Sequence, residues 1–141
     1  IKTLNKPYLI GAHISEGVNL PSGEKISDII HKINHQNLLG LMLSCVSPEN
    51  FEQNLDEIKN LGIPFGFKLN GFVTTKPKDG YTNTFNKSKS GNPNEFLGSR
   101  EDLTPAKMSE FVKTFKEAGA TILGGCCETR PAHIMEMAKL K

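Results

Sequence analysis

Leu39-Gly40-Leu41-Met42-Leu43-Ser44-Cys45-Val46-Ser47-Pro48-Glu49 is the stretch that decides the fold. The apolar run from Leu39 to Val46 is too short for a helix between its turn signals, so it reads as a buried strand. Ser47 then offers a capping hydroxyl and Pro48 a first-turn proline, which together open a helix. Phe51, Leu55, Ile58 and Leu61 recur at helical spacing until Gly62 ends the pattern. A strand that passes through a cap directly into an amphipathic helix is one βα unit.

The same rhythm extends in both directions. Upstream, Tyr8 to Ile14 reads as a strand and Gly17 to Gly23 as a loop. Ser22 is a candidate N-cap for a helix carrying Ile26, Ile29, Ile30 and Ile33. Downstream, Ile63 to Phe72 is a third strand, and Thr104-Pro105 caps a helix with Met108, Phe111, Val112 and Phe115 on one face, stopped by Gly119. Thr121 to Gly124 is a fourth strand, and Arg130-Pro131 begins a last helix with Ile134, Met137 and Ala138. Four βα units in series predict an α/β fold with a parallel sheet and right-handed crossovers.

Four such units make half of a (β/α)8 TIM barrel, whose usual length is about 250 residues. Residues 1–141 are therefore expected to form a partial barrel domain, its last four βα units, with the N-terminal half missing upstream. The chain begins at Ile1 rather than Met and ends inside a helical pattern, which fits a piece of a longer protein. Such a half-barrel leaves an open sheet edge and is expected to self-associate or to be marginally stable. The polar segment 74–103 breaks the rhythm and reads as a long solvated loop, with the charges from Lys76 to Lys89 in water.

Composition narrows the function classes. The 37% hydrophobic and 23% charged content supports a folded domain and excludes wholesale disorder. A net charge of +2 gives no electrostatic case for a nucleic-acid surface. The longest apolar run is about half of the roughly 20 residues that span a bilayer, so no membrane partner is expected. No leader pattern opens the sequence, and the 3 cysteines are an odd count that argues against a secreted disulfide framework. A soluble protein of the reducing cytoplasm is the expectation.

Ligands in parallel βα architectures gather at the C-terminal strand ends. Cys45 ends the second strand, and Cys126 and Cys127 end the fourth, so all three thiols fall on one rim. Three thiolates there suit Zn2+, with Gly124-Gly125 supplying the backbone freedom to turn both adjacent cysteines to one ion. Three protein ligands leave a fourth position open, the mark of a catalytic site. A substrate thiol bound there would be held as thiolate, which points to thiol alkylation. Other readings stay open: Cys45 alone reads as a core residue, and the Cys126-Cys127 pair alone as a non-enzymatic redox or metal-binding module.

At these residues the chain resembles a known family. Gly124-Gly125-Cys126-Cys127 followed by Thr129, Pro131, His133 and Ile134 is similar to the signature of the homocysteine S-methyltransferases. Leu43 to Glu49 resembles the segment that supplies their third zinc ligand, Gly66 to Phe72 their next strand with its terminal Asn, and Ser22-Gly23-Glu24 the motif before the preceding helix. The resemblance implies a (β/α)8 barrel and a zinc held by Cys45, Cys126 and Cys127. It also implies methyl transfer from a small-molecule donor to the thiol of homocysteine, giving methionine. Relatives use betaine, S-methylmethionine, S-adenosylmethionine or methylcobalamin as donors. The acidic residues that bind the amino-acid end of homocysteine in this family come from earlier strands, so an inactive barrel fragment is a further reading of this chain.

The remaining candidates follow from position. Asn70, at the third strand end, is a candidate substrate contact. Ser44 stands where the family usually has Asn, and Glu128 where Gly is common. The Glu128 carboxylate could meet a substrate ammonium or a cationic donor, or pair with Arg130 on the surface. His13 faces either the rim or the core and reads as a hydrogen-bonded structural residue. His31 and His35 read as helix-surface residues, and His133 as part of the last helix's first turn.

Overall fold

Each strand of the protein is followed by a helix, and the strands add to one sheet in the order in which they are made. The computed structural model describes residues 5–33, 35–75 and 94–140. Within them lie β1 (Tyr8–Ala12), α1 (Ile26–Ile30), β2 (Leu38–Val46), α2 (Pro48–Lys59), β3 (Phe65–Leu69), α3 (Pro105–Glu117), β4 (Ile122–Gly125) and α4 (Pro131–Ala138). The sheet order is β1-β2-β3-β4, and every neighbouring pair is parallel. An in-order parallel sheet with crossovers of one hand puts all its helices on one face, and this is the wall of a (β/α)8 barrel. A doubly wound sheet would need a reversal of strand order, and none occurs among the described strands.

The strand faces differ sharply. Leu41 and Leu43 of β2 and Phe65, Phe67 and Leu69 of β3 are buried against the helices. Phe51 of α2, Phe67 and Phe115 of α3 meet with ring centroids 4.7 to 5.6 Å apart. Tilted and edge-on pairs at this range add to the burial of three large apolar rings. The opposite face carries glycines with Ser44, Lys68 and the apolar Met42 and Ile122. A Cβ on Gly11 would meet the Ser44 hydroxyl at 2.8 Å, and one on Gly40 would meet Ile122 Cδ1 at 2.9 Å.

Several element ends differ from the sequence pattern. α1 is a single turn starting at Ile26, and Ser22 does not cap it. Its free N-terminus is served from outside instead, because Glu57 of α2 accepts from the Ser27 N–H at 2.9 Å. The Ser22 hydroxyl hydrogen-bonds the Glu24 carboxylate and holds that group below its ordinary range. β1 stops at Ala12 and β3 at Leu69, since Asn70 turns the chain out of the sheet. Ser47 and Thr104 do cap α2 and α3, accepting from Asn50 N and Lys107 N at 3.2 Å each.

The loop after β3 is closed at its base. Phe72 and Ser99 form an antiparallel bridge, and Arg100 N donates to the Gly71 carbonyl at 2.8 Å. The charges from Lys76 to Lys89 lie outside the described residues.

Candidate metal centre

Cys45 owes its direction to a break in register. Ser44 pairs with Lys68 and Val46 with Leu69, so Cys45 between them has no partner on β3. Its φ is 57°, in the left-handed region that non-glycine residues rarely occupy. A bulge of this kind re-aims one side chain without ending the strand. Asn70, fully buried, accounts for the backbone oxygen that the bulge releases: its Nδ2 donates to the Cys45 carbonyl at 2.6 Å. The other end of the same amide, Oδ1, accepts from Phe72 N–H at 3.0 Å.

Cys126 and Cys127 sit in a tight turn after β4. Cys126 N donates to the Leu69 carbonyl at 2.7 Å, and the Cys127 carbonyl accepts from Gly71 N at 2.9 Å. Thr129 closes the turn on the Cys126 carbonyl through its N–H and its hydroxyl. The backbone freedom that turns the pair is not in Gly124-Gly125, neither of which has a positive φ. It is in Glu128, at φ 60°. Gly125 is required for space instead, because Thr129 and Ile134 crowd the position a Cβ would take.

These two local devices bring the sulfurs together. Cys45 Sγ lies 3.8 Å from Cys127 Sγ, and Cys126 Sγ lies 3.9 Å from Cys127 Sγ. All three fall within 4.8 Å of one another, are half-buried and carry free thiols. Sulfurs at about 2.3 Å from one tetrahedral ion stand about 3.8 Å apart, so two edges of this triangle already have the dimension zinc requires. Burial, and then the neighbouring thiols, push the Cys45 thiol up to about 12. Burial likewise raises Cys127. Cys45 and Cys127 therefore hold their protons until a cation takes the charge, and that cation must displace them. The donor set, its spacing and its soft chemistry fit Zn2+.

The other candidates take definite places. Asn70 reaches the site through the Cys45 backbone. His13 is exposed on the rim, its Nδ1–H donating to the Ser44 carbonyl at 3.0 Å and its Nε2 2.9 Å from the Ser15 hydroxyl. His31 follows α1 as an exposed capping residue, and His35 opens a short helical turn to Asn37. His133 is buried: its Nδ1 accepts from Arg130 N and its Nε2–H donates to the Leu103 carbonyl, both at 3.0 Å. Two bonds of opposite polarity fix one neutral tautomer.

The Glu128–Arg130 ion pair does not form. Both residues line a cavity of about 440 Å³ together with Arg100, Glu101 and Thr104. The pairing that does form escaped the sequence reading. Arg100 grips Glu49 with two bonds of 2.8 and 2.9 Å and Asp102 with two more of 2.7 and 3.1 Å. Glu49 follows directly on the Ser47-Pro48 cap, and that position was the one available signal.

A family described as homocysteine S-methyltransferase matches residues 1–140. Homocysteine S-methyltransferase 1 of Saccharomyces cerevisiae is 30% identical over 142 residues, covering 96% of this chain and 39% of that protein. Its namesake from Zea mays is 25% identical over 126 residues, covering 89% of this chain and 35% of that protein. The crystal structure of the homocysteine methyltransferase MmuM from Escherichia coli, in its metallated form, superposes with a TM-score of 0.65 at 16% identity. That match covers 96% of this chain and 36% of the other. The chain thus spans little more than a third of the length of the relatives it matches.

Proposed function

This chain belongs to the homocysteine S-methyltransferase family, and on that premise we propose that Cys45, Cys126 and Cys127 hold the zinc of an enzyme that methylates homocysteine to methionine. The observation that carries the reading is the sulfur triangle, with edges of 3.8 and 3.9 Å built from two strand ends 82 residues apart in sequence. Residues 1–141 are the last four βα units of the barrel. Its earlier strands pair with the open edges β1 and β4, and without them the exposed Leu9, Leu39 and Leu123 favour self-association.

Zinc, when bound, lowers the pKa of a substrate thiol and keeps it as thiolate at neutral pH. The rest of the task falls to the protein. With Zn2+ bound, Cys45, Cys126 and Cys127 would leave room beside the ion for the sulfur of homocysteine, and the S–CH3 bond would form as the donor's bond to that methyl breaks and the demethylated donor departs. Asn70, expected at the substrate, serves it by fixing Cys45. Thr129 closes the Cys126-Cys127 turn, and His133 ties the start of α4 to the Leu103 carbonyl just ahead of α3. The thiols require a reducing setting such as the cytoplasm. Among the described residues no helix is long and apolar enough to cross a membrane.

The test is metal content of the full-length protein, purified under reducing conditions, beside its Cys45→Ser variant. About one equivalent of zinc, lost in the variant together with homocysteine methylation, is the expected result. Zinc that stays without Cys45 would reduce the site to the vicinal pair and overturn the three-thiolate reading.

A further inference from the structure

Lys68 is the one charged residue of the described strands on the face turned away from the helices. Its neighbours Phe67 and Leu69 are fully buried on the helix side. Lys68 itself pairs laterally with Ser44 of β2 and Gly124 of β4. A Cβ on Gly124 would stand 3.6 Å from Lys68 Cγ, so the lysine stem runs over that glycine. Ser44 directly precedes Cys45, and Gly124 precedes Cys126 by two residues. One or two residues of strand rise are about 3–7 Å, within reach of a four-carbon side chain.

Lys68 is half-buried on this face, which a closed barrel turns inward, where an unpaired ammonium is costly. Met42, Ser44, Gly66, Ile122 and Gly124 are the residues next to Lys68 on this face, and none is acidic. Among the described residues it has neither a carboxylate nor a hydrogen-bond partner. One anion can be assembled beside it. Three thiolates on a dication leave a net negative charge, and a substrate thiolate doubles it.

Resting on the three-thiolate reading above, we propose that Lys68 is a positioning cation whose ammonium offsets the charge of the metal–thiolate centre and favours entry of a further thiolate. It acts on sulfur charge and not on the carboxylate of the amino acid. The test uses the full-length protein loaded with cobalt(II), its thiolate-to-cobalt absorption reporting the binding of homocysteine and, separately, of 1-propanethiol, which has no carboxylate. Lys68→Met keeps one metal equivalent and the wild-type melting transition but binds both thiols about tenfold more weakly, and Lys68→Arg restores most of the loss. Lys68→Gln replaces the Met variant if that one fails to fold. Unchanged binding of both thiols overturns the proposal, as does weakening confined to homocysteine. Wild-type protein that takes up no cobalt overturns the metal centre itself and this proposal with it.

Discussion

The Nδ2 of Asn70 stands 2.6 Å from the backbone oxygen of Cys45, and its Oδ1 holds Phe72 N–H at 3.0 Å. One buried amide thereby braces a bulge in β2 against the turn that leaves β3. A backbone carbonyl taken out of a ladder needs a new donor when water cannot reach it, and Asn70 is that donor. The left-handed Cys45 backbone costs about 1–2 kcal/mol, so it persists only while its surroundings enforce it.

Removing that donor is expected to show in both stability and metal binding. Asn70→Leu keeps the volume and leaves two buried backbone groups unpaired, a cost of about 2–3 kcal/mol. Metal affinity falls with it, by about tenfold, because Cys45 relaxes toward a regular strand. Urea denaturation and chelator competition on the same preparation measure the two effects. Destabilisation with unchanged metal affinity would show that the bulge holds without Asn70.

Glu128 makes the opposite prediction. Its φ of 60° is strained for an L-residue, and its Cβ packs where a Cβ on Gly71 would approach to 3.2 Å. Glu128→Gly relieves the strain at some entropic cost in the unfolded chain, for a net gain of about 0.5–1 kcal/mol. Glu128→Val is expected to lose about 2 kcal/mol, since a β-branched residue fits this region worst. Thermal melts of the two variants should move in opposite directions. Equal melting temperatures would mean that the turn does not depend on residue 128.

The alternation of strands and helices was legible because it is written in local chemistry. Ser47-Pro48 and Thr104-Pro105 cap helices whatever lies around them, and strand ends place the cysteines on one rim. What escaped depends on neighbours. The apolar run to Phe72 looks like strand throughout, yet β3 ends at Leu69 because Asn70 is claimed by Cys45 across the sheet. Period-two alternation puts Lys68 opposite the core, but only the pairing with Ser44 and Gly124 sets it between the two strand ends that carry the cysteines. Ser22 lost its capping role to Glu57, a competitor that appears only once α2 has packed. The Cys45 bulge is a register shift between two strands, and no single strand's sequence encodes it.

Two glycines of the sheet separate space from conformation. A Cβ on Gly66 would enter the backbone of Ile122, whereas one on Gly124 would touch Lys68 Cγ at an ordinary 3.6 Å. Gly66→Ala is expected to part β3 from β4, costing about 3 kcal/mol or more and loosening Cys126 and Cys127 from Cys45. Gly124→Ala should stay within about 1 kcal/mol of wild type. Denaturation midpoints and zinc content distinguish them. A well-folded, zinc-replete Gly66→Ala variant would contradict the close strand approach.

Glu49 and Arg100 give the last expectation its pH dependence. Burial pushes the Glu49 carboxyl up, but the two bonds and the charge of Arg100 outweigh it and hold the group below its ordinary value of 4.5. Arg100 hydrogen bonds likewise lower Asp102, and both carboxylates raise the arginine. A carboxyl with a lowered folded-state pKa contributes stability above its unfolded value and loses it as pH falls through the folded one. Arg100→Met should therefore cost about 1 kcal/mol at pH 7, a bidentate pair discounted for the 44% exposure of the Glu49 side chain. The gap between variant and wild type then narrows below about pH 4.5, where Glu49 and Asp102 take up protons. Denaturation curves at pH 7, 5 and 3.5 make the comparison. A gap that keeps its size to the lowest pH would assign the role of Arg100 to packing of its stem rather than to the charges it joins.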